Sequence, residues 1–131
     1  MATASAQFHE SPDDLRPETR DRHRGIVSMM EELEAVDWYD QRIDAANDEE
    51  LREILRHNRD EEKEHAAMLL EWLRRRDPVW HEHLSRYLFS EEPIAALAAE
   101  AEEEGAEAPA PGRRVFAASL GVGGVADKDV L

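Results

Sequence analysis

The chain contains no cysteine, which excludes disulfides, thiolate zinc sites and cysteine nucleophiles and is compatible with a reducing cytoplasm. It has no stretch long and apolar enough to span a bilayer. Met1 to Glu10 lacks the basic start and hydrophobic run of a secretory signal, so export is not expected and the protein is read as cytoplasmic. Positive charge is also scarce. Sixteen Lys and Arg stand against 31 Asp and Glu, a formal net charge of −15, which argues against nucleic acid or an anionic membrane as partner and for a surface that attracts cations. With 6% aromatic and 36% charged residues in 131, the chain fits one domain with a modest core, and a lone helical hairpin is not expected to stand as a monomer.

What the chain does have is helical periodicity with ligand-type side chains inside it. Leu51, Leu55, Asn58, Glu62, His65, Leu69 and Trp72 recur at spacings of three and four, so one helix face carries both Glu62 and His65. A preceding stretch keeps the same spacing through Met29, Glu32, Val36, Tyr39 and Ile43, and places Glu32 on its apolar line. Carboxylates in a seam of low dielectric must be neutralised or paired with a cation. Oxygen-rich sites with one imidazole suit iron, manganese or zinc.

Dimetal bundles of the ferritin-like type draw one Glu from each of two helices and a Glu-x-x-His pair from each of the other two. This chain supplies half of that set. Ala6, Arg20, Ile54, Pro78 and Trp80 stand three residues before the other histidines, His9, His23, His57, His81 and His83, so there is no second Glu-x-x-His. Two chains are expected to meet and complete the site. A two-fold dimer would then set about four carboxylate charges against about four from two divalent ions, and metal binding should be linked to assembly.

Other residues keep two readings. A hydroxyl at Tyr39, two turns beyond Glu32, either reaches a bound metal or belongs to the core. Glu31 and Glu34, near Trp38, form either an outer cation site or part of a solvated acidic face. His23, His57, His81 and His83 are read as surface or supporting residues, and Met29, Met30 and Met68 as core filler.

The expected fold class is all-α, with two long antiparallel helices and a short C-terminal helix, the hairpin dimerising into a four-helix centre. Ser11-Pro12 opens a short helix, and Pro17 starts a long one that runs to about Ala45. Asn47-Asp48 makes the break, and a second long helix ends near Arg74, Arg75 and Arg76, which suit the negative helix end. Asp77-Pro78 caps a third helix with Val79, Trp80, Leu84, Tyr87 and Leu88 as packing residues. The expected organisation is therefore a flexible segment with a short helix over 1–16, a half-bundle over 17–94, a disordered acidic linker over 95–114 and a docking tail over 115–131. The linker reading rests on its Ala and Glu content with Gly105, Pro109 and Pro111, and the tail reading on Val115, Phe116, Leu120 and Val122 among glycines.

The run from Met30 to Gln41, with His57 to His65 and Glu71 to Arg75, resembles the encapsulated ferritin family, over roughly 22–94. The resemblance implies a protomer of two long helices, an iron-bridged dimer, and a ring-shaped decamer of five dimers. It implies ferroxidase activity, in which oxygen oxidises ferrous iron at a di-iron centre and the product passes to an encapsulin shell. By position, Glu32, Glu62 and His65 would be metal ligands, Tyr39 would line the centre, and Glu31 and Glu34 would fall on an outer metal site. Ser119 to Gly123 resembles the peptides that load cargo into encapsulin nanocompartments, although Gly124-Val125-Ala126-Asp127 departs from them. The rival readings are a manganese or zinc site without iron oxidation, and a non-catalytic acidic helical adaptor.

Overall fold

The computed structural model describes residues 7–107. Among them are a 3-10 turn, Pro12–Asp14, and four α-helices, α1 (Pro17–Ala45), α2 (Glu49–Arg76), α3 (Pro78–Tyr87) and α4 (Ile94–Glu107), with no strand. The all-α class and both long helices stand as the spacing predicts.

Each boundary has a local cause. Pro17 occupies the first turn of α1, where its missing N–H costs nothing. Asp48 caps α2 by accepting a hydrogen bond from the Leu51 N–H at 2.7 Å. Glu49 in the first turn of α2 then binds Arg52 at 3.3 Å and Arg56 at 2.9 Å. At the far end Glu71 holds Arg74 and Arg75, and these guanidiniums pull its carboxyl down to about 2. Asp77 ends α2 and starts α3, accepting from the Val79 N–H at 2.9 Å. Phe89, at φ 58°, turns the chain out of α3. Ser11 opens the 3-10 turn through its backbone carbonyl, which accepts from the Asp14 N–H at 3.0 Å, and makes no side-chain cap.

α1 and α2 pack as an antiparallel hairpin. Gly25 meets Trp72, Glu32 meets His65 and Asp40 meets Arg59, with numbers rising along α1 as they fall along α2. Residues 7–91 belong to one compact unit. Its buried apolar residues are few: Ile43, Ala66 and Leu73, the last only 1% exposed. Leu33, Leu51, Ile54 and Met68 stay exposed, so the hairpin alone leaves much of its apolar surface in water. No described helix is long and apolar enough to cross a membrane.

The structure departs from the expected linker. Residues from 95 to 107, expected to be disordered, are helical as part of α4, which follows Pro93 and whose Ala96 and Leu97 N–H groups donate to the Pro93 carbonyl at 3.0 and 3.2 Å. No residue of α4 is fully buried. Local propensity is the deciding factor, because Ala and Glu are among the best helix formers. The rest of the expected linker and the whole docking tail, Ser119 to Gly123 included, lie outside the described residues, as do the first six residues of the N-terminal segment.

Candidate metal centre

The centre of the hairpin brings Glu32 of α1 against Glu62 and His65 of α2. One turn of α2 separates Glu62 from His65, so both project from the same face. The His65 Nδ1 lies 3.0 Å from Glu62 Oε2 and 3.8 Å from Glu32 Oε2. One donor atom from each of the three residues falls within 4.8 Å of the other two, and no other such cluster of three or more occurs among the described residues. Side-chain exposure is 27% for Glu32, 23% for Glu62 and 50% for His65, so the group sits at the mouth of a seam.

The electrostatics are those of donors crowded together. Hydrogen bonding to Glu62 pushes the Glu32 carboxyl above its ordinary range, with partial desolvation and the Glu62 charge adding to it. The same hydrogen bond, with a second from His65, pulls Glu62 down. Glu62 and Glu32 together push the His65 imidazole up, the Glu62 hydrogen bond being the larger cause. A proton on Glu32 is therefore held, with Glu62 as its partner, to higher pH than on an ordinary carboxyl, and the imidazole likewise keeps its proton to higher pH. In the pH range where these groups hold their protons, a divalent ion would have to displace them. Two carboxylates and one imidazole form a donor set that iron, manganese or zinc accepts. Since Nδ1 is the nitrogen facing both carboxylates, it is the donor His65 can offer without turning its ring.

Within one protomer the remaining candidates lie outside this three-residue group. Tyr39 is half-buried two turns along α1, with the Arg42 guanidinium 5.5 Å from its ring centre. Glu31 is exposed and Glu34 half-exposed, and no third described His, Asp or Glu joins them in a cluster within one protomer. Trp38 is exposed and lies 6.0 Å from the Arg42 guanidinium. The supporting histidines are engaged elsewhere: His23 stacks on Phe8 at 4.2 Å, His57 pairs with Glu61 at 3.1 Å, and His81 meets Arg74 at 2.6 Å.

Sequence reasoning missed the surroundings of the cluster. An open cleft of about 580 Å³ adjoins Glu32 and His65, lined also by Gly25, Ser28, Met68 and Trp72. Gly25, buried inside a 29-residue helix, is the one residue of this group whose type signals a close approach.

The family model described as EncFtn-like matches residues 7–91. An encapsulated ferritin-like protein of Rhodospirillum rubrum is 54% identical, the match covering 100% of this chain and 96% of the relative. A ferritin-like protein of Thermotoga maritima is 54% identical over 70% of this chain and 80% of its own length. An encapsulin nanocompartment cargo protein of Myxococcus xanthus is 36% identical over 72% and 79%. Among solved structures, a crystal structure of a Nitrosomonas europaea protein aligns with a TM-score of 0.66 at 60% identity, covering 67% of this chain and 97% of its own.

Proposed function

The chain belongs to the encapsulated ferritin, EncFtn-like, family, and from that premise we propose that it is a ferroxidase and an encapsulin cargo protein. Ferrous iron is the substrate and oxygen the electron acceptor. The observation that carries the reading is the convergence of Glu32, Glu62 and His65 within 4.8 Å, with half the donors of a carboxylate-rich dimetal centre on one protomer.

A second copy supplies the other half. Two protomers related by a two-fold axis present four carboxylates and two imidazoles, enough to offset about four positive charges. The uncovered apolar side chains Leu33, Leu51, Ile54 and Met68 give such a dimer its driving force. The resemblance extends the assembly to a ring-shaped decamer. Tyr39 lines the centre, and Glu31 and Glu34 gather cations at its outer side.

In this reading, Glu32 and Glu62 hold ferrous ions side by side and give up their shared proton as they do so. His65 offers Nδ1 and keeps its proton on Nε2. Each of two ferrous ions gives one electron, and a dioxygen molecule takes the pair, so that no free one-electron product forms. The ferric product passes to an encapsulin shell, which residues around Ser119 to Gly123 engage. The cargo name of the Myxococcus relative supports that partner. The working place is then the interior of an encapsulin nanocompartment in the cytoplasm.

The test is aerobic oxidation of added ferrous iron, followed by ferric absorbance, for the wild type beside Glu62→Ala. Wild-type oxidation well above background with background rates in the variant supports the assignment. Background rates in both leave an acidic helical protein without this chemistry.

A further inference from the structure

Gly25 is buried against the ring of Trp72, two turns along the hairpin from the candidate metal centre. A Cβ at Gly25 would sit 3.1 Å from Trp72 Cζ3 and 3.3 Å from Cε3, closer than ordinary van der Waals contact. Gly25 stands seven residues before Glu32, and Trp72 seven after His65, so the contact repeats the Glu32–His65 pairing two turns away. All four residues line one cleft.

One face of the ring is covered. The Arg76 guanidinium lies 4.1 Å from the Trp72 ring centre, and its Nη1 donates to the Trp72 carbonyl at 3.2 Å. With Arg76 over Trp72 and Gly25 against the ring, an added methyl requires a shift of a few tenths of an ångström, which in a spacer is taken up by α1 moving away from α2. On the other side of the centre the hairpin is held by Arg59, which donates to Asp40 at 2.9 Å. A separation introduced at Gly25 therefore acts on the helix spacing at Glu32 and His65.

The geometry points to Gly25 and Trp72 as positioning residues, a spacer that sets the helix separation at which Glu32 meets Glu62 and His65; its use for metal rests on reading those three as a metal centre. Glycine in a helix interior is otherwise a weak choice, so simple stability would favour Ala here. A spacer requires the opposite.

The test uses the full chain as wild type, Gly25→Ala and Gly25→Ala/Trp72→Leu. The readouts are crystal structures of the metal-free proteins and anaerobic Co²⁺ titrations followed by absorbance. In Gly25→Ala the distance from Glu32 Oε2 to His65 Nδ1 should grow beyond the present 3.8 Å. Co²⁺ affinity should fall at least about tenfold, the lower end of what disturbing a ligand's support costs. In the double variant, where the added methyl has room, both should return. Unchanged spacing and affinity in Gly25→Ala overturn the assignment, and so does a loss that Trp72→Leu fails to restore. If Gly25→Ala does not fold, the double variant decides: folded with wild-type spacing it supports the spacer, and folded with altered spacing it overturns it. Spacing that shifts and recovers while not even the wild type binds Co²⁺ sinks the metal reading and leaves the spacer standing.

Discussion

Metal binding at Glu32, Glu62 and His65 should be coupled to proton release, and Glu62→Gln should change that coupling in a direction fixed by the geometry. In the metal-free protein, His65 keeps its proton to higher pH than an ordinary histidine because Glu62 accepts from it. Glu32 keeps its proton to higher pH than an ordinary carboxyl because it shares that proton with Glu62. A divalent cation needs the neutral imidazole and the carboxylates, so it competes with both protons. Raised values mean that the competition extends upward in pH. Apparent affinity should climb about tenfold per pH unit for each proton displaced per protomer, levelling off only above the raised His65 value. At more acid pH, where Glu32 is also protonated, the slope should steepen toward about a hundredfold per unit, since two protons then leave. Glu62→Gln removes the carboxylate whose hydrogen bonds raise both groups, so the levelling-off point should move to lower pH. Affinity at neutral pH should fall by more than about a hundredfold, because even a residue that only supports a ligand costs about 10- to 100-fold. Anaerobic Zn²⁺ titration by calorimetry from pH 5 to 8, in buffers of different ionisation enthalpy, counts the protons. A pH-independent wild-type affinity would refute the shared-proton picture, as would an unmoved profile in Glu62→Gln.

Three further outcomes test other parts of the structure. Leu73→Ala, at the most buried side chain, should cost about 2 to 5 kcal/mol by chemical denaturation, because a cavity replaces a packed Leu in a small core. Asp48→Ala removes the cap on the Leu51 N–H and should cost about 1 kcal/mol, lowering the thermal midpoint while Zn²⁺ stoichiometry stays as in the wild type. Deletion of everything after Pro111 should abolish co-purification with an encapsulin shell and spare ferrous oxidation; retained loading would remove the tail from the recognition surface.

The hairpin was legible in the sequence because its signals are local and agree with one another. Proline sits where a helix can start, Asp48 and Asp77 where caps are needed, and apolar residues at helical spacing between them. The Glu32, Glu62 and His65 group was legible for a related reason: each ligand lies on an apolar line, and two lines on consecutive antiparallel helices can meet in only a few registers. α4 differs from the expectation because burial is not the only condition for order: an Ala and Glu run can hold a helix in which no residue is fully buried. The Gly25–Trp72 contact was not legible at all. A lone glycine in a helix says that something comes close without saying what, and only the register of the two helices names Trp72.

One physical circumstance links the incomplete donor set to the incomplete core. Met68 is 64% exposed and lines the same cleft as Glu32 and His65, so uncovered apolar surface and uncompensated carboxyl groups lie side by side on one face. Either feature alone would be a liability: the apolar surface invites association, and association would bury charged donors at a cost. A two-fold contact on this face would resolve both only if a cation entered with it, because an isologous interface sets each carboxylate group near its own copy. Without metal the like charges oppose the contact that the apolar residues favour. With metal the two forces act in the same direction. The dimer should therefore be weak when metal-free and tighten with divalent ions, and Glu32→Gln/Glu62→Gln should associate without metal, since it keeps the apolar face and removes the repulsion. Sedimentation velocity with and without Zn²⁺ measures this, and a double variant that stays monomeric under metal-free conditions would show that the carboxylates are not what holds the protomers apart.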